Sequence, residues 1–69
     1  MVRTFSFFIT DRRYSAPTLQ FLFCVDEARA RELARDQLLA SEDHVAVEVH
    51  EDGQPLFRED RSPGAAGQP

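Results

Sequence analysis

The chain holds no lysine and no tryptophan, and only one cysteine, one methionine and three glycines. Each scarcity excludes something. Cys24 has no partner for an internal disulfide and no companion thiolates for a zinc site, a usage that fits a reducing, cytoplasmic compartment. The glycines are Gly53, Gly64 and Gly67, so no glycine-rich loop is available to cradle a phosphate. With lysine absent, all eight bases are arginine; against twelve acids they leave a net charge of −4, which argues against nucleic acid as a partner. No apolar run approaches the roughly 20 residues of a membrane span, so no membrane partner is expected. The short stretch Leu19–Cys24 after Arg12-Arg13 is interrupted by Gln20 and has large residues before the cysteine. It fails as an export signal and reads as a buried strand.

What is present is one small domain. The 69 residues are 42% apolar and include six phenylalanines, enough for a single core. At this size folding buries only about 60% of the surface that the unfolded chain exposes, so stability gains from a partner.

Residues 2–10 alternate, with Phe5, Phe7 and Ile9 on one side and Thr4, Ser6, Phe8 and Thr10 on the other, the period of a half-buried strand. Asp11 to Pro17 is a polar break. Thr18 to Val25 reads as a second strand with Leu19, Phe21, Phe23 and Val25 on one face and Gln20, Leu22 and Cys24 on the other. The period then changes. Asp26 is placed as an N-cap, Val25 and Ala30 as a hydrophobic staple, and Ala30, Leu33, Ala34, Gln37 and Leu38 form the stripe of an amphipathic helix ending near Ala40 or Ser41. Glu27 and Arg31 stand at helix-supporting spacing.

His44 to His50 alternates again, Val45, Val47 and Val49 inward, before a turn at Glu51-Asp52-Gly53 and a last strand from Leu56 to Asp60. A two-residue loop would pair Val49 with Leu56 and turn Phe57 outward. A three-residue loop would pair Val47 with Phe57 and bury the larger side chain, and it is preferred on that ground. A right-handed crossover from the second strand to the third places the first between them. The expected fold is α+β: ββαββ, an antiparallel sheet of order 2-1-3-4 with one helix on one face. Residues 1–60 form the domain, and residues 61–69, without a large apolar side chain, are expected to be a disordered tail.

Chemistry is thinly supplied. His44, Glu48 and His50 share a face of the third strand, but at about 3.3 Å per residue His44 lies roughly 13 Å from Glu48. Glu48 and His50 alone make too few ligands, so no metal is expected. An apolar strand raises the pKa of Cys24 and leaves it without an activating base. Neither catalytic residues nor a cofactor are expected, and the chain does not read as an enzyme. Residues 1–25 carry a charge of +2 and the two later thirds −3 each, so Arg12-Arg13-Tyr14 is the one basic spot and the candidate partner-contact loop. The anomaly is Phe8, which alternation turns away from the helix beside Leu22 and Cys24. These three form a candidate interface on the open sheet face, suited to a weak homodimer.

Arg3-Thr-Phe5-Ser-Phe7, Asp26-Glu-Ala-Arg-Ala30 and the segment Val47 to Leu56 resemble a group of short bacterial domains of unknown function; the resemblance spans about residues 3–57 and implies the same fold without functional residues. Strands ahead of an Asp/Glu-Ala-rich helix are also similar to the HicB-type antitoxin domain. That likeness implies an alternative role, a regulatory partner that binds a basic protein through its acidic surface.

Overall fold

Apolar side chains at every second position make the first strand the spine of a sheet. The computed structural model describes residues 2–61. In it the chain runs β1 (Arg3–Asp11), β2 (Thr18–Cys24), α1 (Glu27–Leu39), β3 (His44–Glu51) and β4 (Gln54–Asp60). All pairings are antiparallel and the order is β2-β1-β3-β4, as the crossover rule requires. The helix lies on one face. Phe5, Phe7 and Ile9 of β1 and Val47 and Val49 of β3 are buried beneath Ala30, Ala34 and Leu38 of α1. Two alanines on the helix let it sit close to the sheet, and the phenylalanines fill the space from below.

Both helix ends are closed by side chains. Asp26 accepts a 2.9 Å hydrogen bond from the Arg29 backbone N–H, and Glu27 pairs with Arg31 one turn on. The last turn has no base of its own. Instead the Arg61 guanidinium donates to the carbonyls of Leu38, Ser41 and His44, and the Arg61 N–H donates to the Val45 carbonyl. Arg61 therefore belongs to the folded domain, not to the tail; the rest of the expected disordered segment, residues 62–69, lies outside the described residues. Val25, expected to staple the helix start, is exposed.

The closing hairpin takes neither expected register: Val47 faces Glu59, not Phe57, and the preferred three-residue loop does not form. Asp52 (φ 54°) and Gly53 (φ 79°) form a two-residue turn of left-handed residues, with Glu51 opposite Gln54 and His50 opposite Pro55. The register then shifts between Val49 and His50, so that Phe57, not Leu56, faces Val49. This bulge brings Phe57 against the core without the longer loop, and Arg31 covers its ring at 4.2 Å.

The second strand faces the opposite way from the expectation. Phe5 pairs with Leu22 and Arg3 with Cys24, which places Leu22 and Cys24 on the helix side; Cys24 is 3% exposed and in the core. Leu22 packs against that core. Neither is available at the candidate interface; of those three residues only Phe8 stays on the open face. The cause is parity. Ile9 pairs with Thr18, one step from the Thr10–Thr18 pairing that a loop of seven residues would give, and a one-residue slip exchanges the faces of a strand.

Candidate functional site

Side chains opposite one another across an antiparallel pair share a face. The open face therefore carries Phe23 beside Thr4, Phe21 beside Ser6, and Leu19 beside Phe8. Leu19, Phe21 and Phe23 are 48%, 62% and 73% exposed, a strip along the outermost strand. Phe8 is half-buried because the His50 ring leans on it, with centroids 4.7 Å apart. The other half of the same face is charged. His50 Nε2 lies 3.1 Å from Glu48, and Arg58 donates to Asp60 at 3.0 Å. One face is thus divided between an apolar side on β2 and β1 and a polar side on β3 and β4.

The aromatic strip is what reading the sequence misplaced. Alternation groups Leu19, Phe21 and Phe23 on one side of the second strand, and placing Leu22 and Cys24 on the open face turns that side inward. The signal that contains the answer is the number of residues between Ile9 and Thr18, and only the folded loop shows how they are used.

At the hairpin tip, Arg12 and Arg13 come together with acids. Asp11 is buried; its carboxylate accepts from the Arg13 backbone N–H at 2.8 Å and from the Arg13 guanidinium at 3.0 and 2.7 Å. That guanidinium, followed by the backbone N–H, holds the Asp11 carboxyl down at about 2, and Asp11 in turn raises Arg13. Arg12 donates to Asp43 at 2.8 Å, and its backbone N–H donates to the Asp43 carbonyl. Arg13 also reaches Asp43 at 3.2 Å and lies over the Tyr14 ring at 5.3 Å. The candidate contact loop is thus tied to the α1–β3 connection, with its charge answered inside the molecule. Tyr14 remains exposed.

His44 does not share a face with Glu48 and His50. A register shift at Thr10/Asp11 accompanies its turn toward the helix, where its Nδ1–H donates to the Gln37 carbonyl at 2.6 Å. Its Nε2 is 3.7 Å from Asp11. The Ser41 hydroxyl accepts from the Asp43 N–H, and burial pushes the Cys24 thiol up, away from nucleophile character. Among the described residues no three His, Cys, Asp or Glu side chains converge as metal ligands. A concavity of about 370 Å³ between the end of α1 and β4 is lined by Arg35, Glu59, Asp60 and Arg61 with Leu38 and Leu39. Arg35 and Glu59 pair with each other there, and Arg61 is committed to the carbonyls of Leu38, Ser41 and His44. Among the described residues, the strip of Leu19, Phe21 and Phe23 gathers three exposed apolar side chains on one strand face.

No family model matches the chain, and no curated protein or solved structure matches it.

Proposed function

We propose that the protein is a non-enzymatic interaction module that associates with a second copy of itself through the apolar side of its open sheet face. The observation that carries this is the exposure of Phe21 and Phe23 beside Leu19. A domain with so small a core gains most by burying aromatics, and here two of six phenylalanines stay in water. At about 25 cal/mol per Å², covering this strip in two copies supplies several kcal/mol. Association entropy removes a comparable amount, so the expected dimer is micromolar.

Among the described residues no helix is long and apolar enough to cross a membrane. A cytoplasmic setting is the reading that the lone thiol supports. The alternative, an acidic surface that captures a basic partner, finds less support, because Glu27, Glu32, Asp43, Glu51 and Glu59 are each paired to an arginine of the same chain.

Sedimentation of the wild type at high micromolar concentration tests the proposal. A dimer is expected, and Phe21→Ser with Phe23→Ser should give a monomer with the helical signal intact. A wild type that sediments as a monomer at that concentration overturns it.

A further inference from the structure

We propose that the two copies join edge to edge along β2, antiparallel about Phe21, so that two four-stranded sheets become one continuous sheet. This rests on the self-association reading and specifies its geometry.

Among the described residues β2 is an outer strand, with β1 its only neighbour in the sheet. Among the described residues its backbone makes no hydrogen bond to a turn, loop or cap, so one row of N–H and C=O groups is open to another strand. The segment Thr18-Leu-Gln-Phe-Leu-Phe-Cys24 contains no charge, no proline and no glycine. Proteins that keep an edge unpaired place such residues on it. The other edge of this sheet has them: β4 carries Pro55, Arg58, Glu59 and Asp60 and is bent by the bulge at Leu56.

The segment is also complementary to itself. Antiparallel pairing about Phe21 sets Leu19 of one copy opposite Phe23 of the other and Phe21 opposite Phe21, all on the open face. Gln20 meets Leu22 on the helix side. Every residue of β2 pairs, over a length of about 23 Å. Neighbouring registers are blocked. A slip of one residue sets opposite faces against each other. A slip of two brings either Pro17, which has no N–H, or the helix cap Asp26 into the ladder.

Lateral pairing also suits the divided face better than stacking does. Two stacked open faces would press Glu48, His50, Arg58 and Asp60 into the contact. Side-by-side sheets leave those groups in water and bring only the apolar strips together. A contact of one strand pair falls at the small end of specific interfaces, in keeping with a micromolar dimer.

Hydrogen exchange of the β2 amides at low and high protein concentration, read alongside sedimentation, decides the geometry. Pairing along β2 slows the outward amides among residues 18–24 as the dimer forms. Gln20→Lys, which sets a charge opposite Leu22 at the edge without touching the open face, should weaken the dimer at least about tenfold. Phe8→Ser, on β1 behind the strip, should change it less than about threefold. Amides of β2 that exchange equally fast in monomer and dimer overturn the edge geometry while leaving self-association standing. So does a dimer that survives Gln20→Lys and is lost in Phe8→Ser. A monomeric wild type overturns both.

Discussion

The two edges of this sheet are seven residues each and otherwise opposites. β4 ends the sheet with a proline, a bulge and three consecutive charged residues, of which Glu59 pairs inward with Arg31 and Arg35 while Arg58 and Asp60 pair outward with each other. β2 ends it with a bare backbone and three exposed apolar side chains. Small sheets aggregate through edges, and the devices that prevent it are all gathered on one side. The difference teaches that guarding an edge is a local property of sequence, independent of stability: both strands are peripheral, and only one is closed to strangers.

Stripping the guarded edge should break this comparison most visibly. Pro55→Thr, Arg58→Thr and Asp60→Thr together remove an edge proline and an exposed ion pair as a unit. A second open edge turns a closed dimer into a chain of sheets, so species larger than a dimer are expected in sedimentation. A variant of wild-type size would mean that other features keep β4 unpaired. Phe7→Ala then tests the strand from which both edges hang. It empties a fully buried ring at a cost of about 3–5 kcal/mol, comparable with the whole stability of so small a domain, and the circular dichroism of the helix should be lost with it.

Acid sharpens the contrast next, because the tie holding the β1–β2 tip depends on Asp11. Its folded pKa, about 2, is below the ordinary 3.8, so its contribution is fully present above about pH 4 and is lost as the pH falls toward 2. Thermal unfolding followed across that window should show the decline, and Asp11→Asn should flatten it. Arg61→Ala, at the end of the guarded strand, should cost about 0.3–1 kcal/mol by opening the helix terminus, a lowering of roughly 2–6 °C in Tm. The smallest effect belongs to the open edge itself. Phe23→Thr in dilute solution should leave stability within about 0.5 kcal/mol, since an exposed ring contributes little to a monomer.

Much of this fold is legible along the chain. Phe5, Phe7 and Ile9 announce their strand by alternation, and Ala30, Leu33, Ala34 and Leu38 their helix by spacing. With the helix between the second and third strands, the handedness of crossovers places β1 in the middle of the sheet. What alternation cannot convey is parity. It shows that Leu19, Phe21 and Phe23 share a side; which side depends on the turn residue count between Ile9 and Thr18, a property of loop geometry. The same limit applies to Phe57. Its inward position follows from its size, whereas the bulge at Leu56 that delivers it there has no simple sequence mark. The candidate site depends on the first of these, because a single-residue difference exchanges a half-buried leucine and a buried cysteine for three exposed apolar residues. The arginines at the tip were misleading for another reason: their partner Asp43 is distant in sequence, and charge counted by segment cannot see a pairing across the fold.

The arginine that closes the helix has a consequence in time. A chain is made from its first residue to its last, and Arg61 lies twenty-two residues beyond the helix end at Leu39 that it caps. Until it emerges, the carbonyls of Leu38, Ser41 and His44 lack that donor, whatever the rest of the domain has done. The β1–β2 hairpin, by contrast, has all its residues by Cys24. During synthesis the bare edge is therefore available first, and the guarded edge with its helix clamp is completed last.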